Sequence, residues 1–313
     1  MRRKVRGRNL FSAQLVCEGH PYRKEKNTLG QGVVGLDIGP STAAVVAAQE
    51  ARLTQFCAEL KPQERQIRLL QRKLDRQRRA NNPENYHANG TVKLGAKQWK
   101  RSKRSQDSLD QLREIQRRLA AHRKSLHGRL VNEIVELGNV FKLEKLSYRA
   151  FQKEFGRSVG LRAPGGFVSE LRRKAESAGG KVIEFPIRNT RLSQRCHCGQ
   201  VHKKRLSERW QGCACGVFAQ RDLYSAFLAR FVEQETNQLH AGQAAEAWTG
   251  AEPLLRTAWQ QAVTNQPASG RSNPSSFGAT RSWSGSSVEG EIACTKARDV
   301  VAYPLGTAKA RER

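Results

Sequence analysis

The sequence predicts a mixed α/β fold: one sheet, interrupted by a long basic helical hairpin and by a cysteine-bearing insert. Short apolar runs at 33–38, 43–48, 139–146 and 181–185 read as strands. Between and beyond them apolar residues recur at threes and fours, so strands alternate with helices. Four cysteines, Cys196, Cys198, Cys213 and Cys215, fall in one cluster just ahead of the last strongly apolar helix.

The elements follow in order. Residues 10–17 alternate, with Phe11, Ala13, Leu15 and Cys17 on one side, and read as a half-buried strand. A polar, basic link runs to Gly32. The run from Val33 to Ile38, a turn at Gly39-Pro40 and the run from Ala43 to Ala48 read as an antiparallel hairpin opening a buried sheet. From about 50 to 137 the pattern is helical. One stripe is Leu60, Ile67, Leu70 and Leu74; the other is Leu112, Ile115, Leu119, His122, Leu126 and Leu130. Between them NNPENYHANGTVKLGAKQWKRSKRS breaks the period at Asn-Pro and Asn-Gly, which gives a hairpin with a decorated tip. A strand at 139–146, a helix at 165–179 with Phe167, Leu171 and Ala175 inward, and a strand at 181–185 follow. A helix from near Asp222 carries Ala226, Phe227, Leu228 and Val232, and 233–264 reads as a helical extension. Beyond about 265 the Ser-, Gly- and Pro-rich sequence has little to bury and predicts disorder.

Lys and Arg number 56 against 28 Asp and Glu, a net charge of +28, with the excess spread too widely to be one tail. Its simplest partner is a polyanion, DNA or RNA, held through phosphates; the alternative is a merely soluble, ribosomal-type basic protein. No segment approaches the roughly 20 apolar residues of a membrane span, and MRRKVRGRNLFSAQ lacks the apolar core of a secretory signal. Seven cysteines, four of them clustered, favour a reducing compartment and a metal over a disulfide framework. The expected location is cytoplasmic, nucleoid-associated when bound to DNA.

Three acidic residues carry the candidate chemistry: Asp37 in GVVGLDIGPST, Glu144 in NVFKLEKLSY and Asp222 in AQRDLYSAF. A strand holding Asp37 beside a strand ending at Glu144 places both carboxylates near one sheet edge, and Asp222 at a helix start closes the site from the side. Hard oxygen ligands suit magnesium or manganese, and phosphodiester hydrolysis uses two such ions about 4 Å apart. By spacing alone the signal is weak, because a lone Asp in an apolar strand is more often a turn or capping residue. The cysteines form two C-x-C knuckles, each followed by glycine (Gly199, Gly216), which fits a structural tetrahedral zinc site. The usual spacing is C-x-x-C, so four buried thiols remain the alternative, with His197 and His202 as fallback ligands. Arg72, Lys73, Arg76, Arg78 and Arg79 on one arm of the hairpin, and Lys97, Lys100, Arg101, Lys103 and Arg104 at the far side of its tip, read as phosphate contacts, or else as a solvated face. Trp99 and Tyr86 stand among them as base-stacking platforms or as loop anchors.

GLDIGPST, LEKLSY and SQRCHCG…CACGVFAQRDLYSAF, in this order, resemble the three RuvC motifs and the inserted zinc ribbon of TnpB proteins, transposon-encoded relatives of type V CRISPR effectors. The resemblance covers roughly residues 8–232. It implies an RNase H-like RuvC fold and an RNA-guided DNA endonuclease with a guide RNA and target DNA as partners. Asp37, Glu144 and Asp222 would be its catalytic, magnesium- or manganese-binding residues, and the four cysteines its zinc ligands. The implied layout is a wedge-like β remnant at 1–30 and a RuvC-like domain at 31–232, with a helical insertion at 50–137 and a ribbon at 190–219. The extension at 233–264 and a tail at 265–313 complete it. Only about thirty residues precede the first motif, where the family carries a wedge and recognition region. The expectation is therefore an N-terminally truncated member, with a nucleic-acid-binding protein that does not cut, or an RNA-independent RuvC-type nuclease, as alternatives. Gln220 stands where the third motif often has an acid.

Overall fold

The computed structural model describes residues 1–5, 8–19, 28–61, 63–95, 97–205 and 207–265; the expected disordered tail, from residue 266 on, and Cys294 lie outside them. Strands β1 (Arg2–Val5) and β2 (Arg8–Phe11) pair antiparallel. The strand expected at 10–17 therefore ends at Phe11. Residues 12–18 carry no regular structure, and Phe11, Leu15 and Cys17 are exposed. Alternation decides which side chains share a face; burial needs a second layer, which these residues do not have.

Strands β3 (Val33–Ile38) and β4 (Thr42–Val46) form the expected hairpin, with Asp37 opposite Ala44 and Gly39 N–H donating to Thr42 O across the turn. The chain then turns back into a third antiparallel strand, β5 (Ala51–Gln55), where helix was expected from about 50. Its residues bury at Ala51 and Leu53 and stay half-exposed at Arg52 and Thr54. That is a two-residue period, hidden in the sequence because the run is short and adjoins the helical stripe.

Helices α1 (Glu64–Asn81) and α2 (Lys103–Val135) make the long hairpin. Helix α2 starts inside the stretch expected as tip, because Ser102 caps it by accepting from Ser105 N–H. His122, expected inward, is exposed. The buried histidine is His127, whose Nε2 lies 2.8 Å from Arg162 O. Strand β6 (Val140–Lys145) follows, then α3 (Tyr148–Arg162), which has no fully buried residue and which the sequence did not signal. Next come α4 (Pro164–Ser177), β7 (Lys181–Pro186), the single turn α5 (Ile187–Thr190), a small antiparallel pair β8 (Trp210–Gly212) and β9 (Phe218–Gln220), α6 (Arg221–Ala229) and α7 (Ala241–Thr264). Val232, expected on the helix of Asp222, is buried just beyond the end of α6.

The main sheet has the order β5-β4-β3-β6-β7, antiparallel on the β4 side of β3 and parallel on the β6 side. It is packed on both faces. Leu36, Ile38, Val45, Phe141 and Leu143 meet α2 and α4 through Val131, Ile134, Phe167 and Leu171. On the other face Ala44, Val46 and Leu53 meet α6 and α7 through Ala226, Phe227, Leu255 and Trp259. Burying one such large apolar side chain contributes about 1.5–3 kcal/mol. Packing of this kind is what holds α6, which at nine residues is shorter than the roughly 12–15 a helix needs to persist alone in water.

Candidate functional site

Asp37 and Glu144 meet because of strand register. Strands β3 and β6 run parallel, with Leu36 beside Leu143 as their last pair. Asp37 and Glu144 are each the next residue, so the two carboxylates stand side by side at the carboxyl ends of neighbouring strands, on the α6 face. A small recess there is lined by Asp37, Glu144, Leu192 and Ser225. Ligands in α/β sheets gather at such strand ends.

The third acid arrives through a close helix–strand approach. A Cβ on Gly35 would lie 1.9 Å from Ala226 O, so only glycine lets α6 lie this near β3. Ala226 is one turn after Asp222, and α6 descends along β3 toward Arg230. Its first turn therefore reaches the end of β3, where Asp222 is buried. Burial first, then the charges of Asp222 and Glu144, push the Asp37 carboxyl well above the usual carboxylate range. Burial also raises Glu144, against hydrogen bonds to its Oε1 from Leu192 N–H (3.2 Å) and the Thr190 hydroxyl (3.0 Å).

Several residues the motifs did not single out complete this cluster. Asp222 Oδ1 accepts from Arg221 at 3.2 Å, and Arg209 Nη1 stands 3.8 Å from Oδ2. Lys142, on the same face of β6, donates to Arg230 O (3.1 Å) and Val232 O (2.6 Å), tying down the far end of α6. The alternation Val140-Phe-Lys-Leu-Glu-Lys145 already places Lys142 with Glu144. Nothing in the sequence signals Thr190 or Arg209, which come from distant segments.

The cysteines form the tightest group of possible metal ligands among the described residues: their four sulfurs lie within 4.8 Å of one another, a spacing the three acids do not meet. A tetrahedral zinc with Zn–S of about 2.3 Å sets sulfurs roughly 3.8 Å apart. The Cys196–Cys215 and Cys198–Cys213 separations are both 3.5 Å, so the set fits. The two knuckles are the same turn twice. Gly199 N–H donates to Cys196 O and Gly216 N–H to Cys213 O, both at 3.0 Å, with the glycines at φ +92 and +93. Of the fallback ligands, His197 Nδ1 sits 3.0 Å from the Tyr224 hydroxyl, and His202 Nε2 is 4.0 Å from Cys213 Sγ. Burial raises the Cys196 thiol, so a bound metal is what would hold it as thiolate.

Residues 165–228, spanning α4, the knuckles and nearly all of α6, match the family described as "Cas12f1-like, TNB domain". This segment is similar to that domain family. The resemblance to TnpB and its CRISPR relatives is borne out here, in a TNB segment that contains the four cysteines and Asp222. Two solved structures are also similar. One is described as "Cryo-EM structure of CRISPR-Cas12f Ternary Complex", with 14% identity over 66% of this chain and 41% of that chain, TM-score 0.42. The other is described as "Cryo-EM structure of the Cas12f1-sgRNA-target DNA complex", with 14% identity, 63% and 39% coverage and TM-score 0.36. This chain thus spans about two fifths of either, and likeness at this level does not carry function. No curated protein matches the chain.

Outside the TNB segment, the helical hairpin presents the basic face. Arg72, Lys73, Arg76, Lys100, Arg101, Lys103 and Arg104 are exposed, and none makes an ion pair among the described residues. The others have local work. Arg78 lies over the Trp99 ring at 3.7 Å. Arg79 lies over Tyr86 at 5.2 Å and pairs with Asp75 at 2.9 Å. Lys97 donates to Gly95 O at 2.8 Å. Tyr86 and Trp99 meet edge to face, 5.9 Å apart, so both rings anchor the tip. Among the described residues no helix is long and apolar enough to cross a membrane.

Proposed function

We propose that this chain is a RuvC-like, RNase H-type nuclease of the TnpB and Cas12f kind. It cuts DNA at Asp37, Glu144 and Asp222 and is directed by a guide RNA. The observation that carries the reading is the strand-end pairing of Asp37 with Glu144, under a helix whose Asp222 charge acts on Asp37. Three carboxylates around one partly buried point outnumber the two arginines beside them: Arg221 and Arg209 pair directly with Asp222 and act on Asp37 only through their charge. Such a cluster calls for divalent cations. Magnesium or manganese, when bound, would supply an activated water and stabilise the leaving oxygen. The chain's own residues hold the ligands in place: Thr190 and Leu192 fix Glu144, and Gly35 admits α6. Asp222, now paired with Arg221 and Arg209, would be the third carboxylate to hold such an ion. The four cysteines hold a structural zinc, and the unpaired bases of the hairpin hold phosphates of guide RNA and target DNA.

The Arg221–Asp222 pair favours a second reading, a nucleic-acid-binding protein that does not cut. One experiment separates them: protein purified with its own RNA, incubated with magnesium and DNA complementary to that RNA. Asp37→Ala should lower cleavage at least about a thousandfold, the equivalent of roughly 4 kcal/mol, while leaving RNA binding unchanged. No cleavage by the unaltered protein, with RNA and DNA both bound, selects the second reading. Cleavage without RNA selects an RNA-independent nuclease.

A further inference from the structure

Tyr224 is among the largest fully buried side chains of the described residues, and its hydroxyl has a defined set of partners. Cys196 Sγ lies 3.3 Å away, His197 N–H donates to the oxygen at 3.1 Å, and His197 Nδ1 lies at 3.0 Å. The ring is held from the other side by Trp248 of α7 and Phe227 of α6, with centroids at 5.3 and 6.0 Å. Tyr224 therefore ends on the first knuckle while its backbone belongs to α6, two residues after Asp222. Of the four cysteines, Cys196 is the one sunk fully into the core.

The hydrogen-bond inventory fixes the direction. A hydroxyl has one proton to give and two lone pairs to receive with, whereas a metal-bound thiolate only accepts. In a loaded ribbon the Tyr224 proton points at Cys196 Sγ, and the two lone pairs take the His197 backbone N–H and its Nδ1–H. Every position is filled. Groups that donate to metal ligands in this way orient them, and their loss typically costs about 10–100-fold in metal affinity.

We propose that Tyr224 is an outer-sphere partner of the ribbon metal, and that through it metal occupancy sets the placement of α6 and hence of Asp222. The part that concerns Asp222 rests on the function proposed above; the part that concerns metal binding does not. Helix α6 is too short to hold its own position, and Lys142 secures only its far end. At the Asp222 end, beyond the core packing, the helix is fixed by the Gln220 cap, by Arg221 N–H donating to Arg209 O at 2.8 Å, and by this tyrosine, which alone of these reaches the knuckles.

The test uses the full chain and zinc alone. Zinc affinity is read by competition with a chromophoric chelator, and the exchange of the 221–229 amides by hydrogen–deuterium mass spectrometry with and without zinc. Tyr224→Phe keeps the ring and removes the hydroxyl, so zinc should bind about 10–100-fold more weakly. In the unaltered chain, removing zinc should speed exchange in α6; in Tyr224→Phe, α6 should exchange fast with or without it. Should that variant fail to fold, His197→Ala at a half-exposed position removes one partner of the hydroxyl and should weaken zinc several-fold. Zinc affinity within about twofold of the unaltered chain in a folded variant, or α6 exchange that ignores zinc in the unaltered chain, overturns the proposal. Neither measurement involves cleavage. A chain that behaves this way yet cuts nothing would sink the proposed function and leave this coupling standing.

Discussion

Gly35→Ala tests the geometry of the acidic cluster without touching a carboxylate. The added Cβ would sit 1.9 Å from Ala226 O and about 3.0 Å from Arg230 N, while ordinary contact begins at 3.4 Å. Helix and strand must part by about 1.5 Å, three times the roughly 0.5 Å within which a working site must be held. The obstacle is backbone on a fully packed helix, so no side-chain rotation relieves it. Overpacking of this kind costs about 1–3 kcal/mol, or roughly 2–12 °C of Tm at 2–4 °C per kcal/mol for a domain of this size. Because Asp222 rides on the displaced helix, cleavage should fall about a hundredfold, the usual cost of misplacing a group by about 1 Å. The rise in Tm on adding manganese should shrink with it. Gly30→Ala is the control. Its Cβ would lie 2.2 Å from Glu136 O, a slightly milder backbone clash away from the cluster. It should lower Tm and spare both cleavage and the manganese response. Equal loss of cleavage in the two variants, or an unchanged Gly35→Ala, refutes the reasoning.

Three other outcomes are expected. Replacing Arg72, Lys73 and Arg76 together with glutamine should reduce the slope of log affinity against log salt by about one for each phosphate no longer neutralised, measured on RNA and on DNA; an unchanged slope would make this a solvated face. Metal analysis of protein purified without chelator should find one zinc per chain, absent from Cys213→Ser, and a value near zero would return the cysteines to free thiols. Asp37→Asn should stabilise the metal-free protein at neutral pH. The folded state holds the Asp37 proton more tightly than the unfolded chain does. The associated stability is full below the unfolded pKa of about 3.9 and is lost as pH rises through the folded value. Urea midpoints of the two proteins should coincide in acid and separate toward neutrality, and a variant less stable than the parent at neutral pH contradicts this account.

What the sequence announced of the fold depended on whether an element buried a continuous apolar run or a clear apolar stripe. Strands β3 and β4, packed on both faces, show as continuous apolar runs, β6 and α4 bury one face each, and these and the short run of β7 are placed within a few residues. Helix α3 has neither: no residue of it is fully buried and its backbone departs from helical angles at Phe155, so no stripe exists to read. The first strand erred the other way, since 10–17 alternates well and meets no second layer. His122 and His127 show a similar limit. A stripe extended by spacing alone admits any residue at the right interval, whereas burial goes to the histidine that finds a carbonyl.

The acids were legible for a simple physical reason. A charged residue at the end of an apolar strand must leave the core where the sheet ends, so two parallel strands in matching register deliver theirs to one place. The groups that hold them come through contacts 46 and 48 residues away in sequence for Glu144, and local patterns cannot show those. Gln220 lies between these cases. The resemblance puts an acid there, and glutamine looks like a defect in the cluster. In the structure its Oε1 accepts from Leu223 N–H at 2.7 Å and caps α6. A carboxylate at that position would make the same bond. The substitution thus keeps the helix start that aims Asp222, and removes a negative charge from beside a site where Asp37 already carries the repulsion of two others.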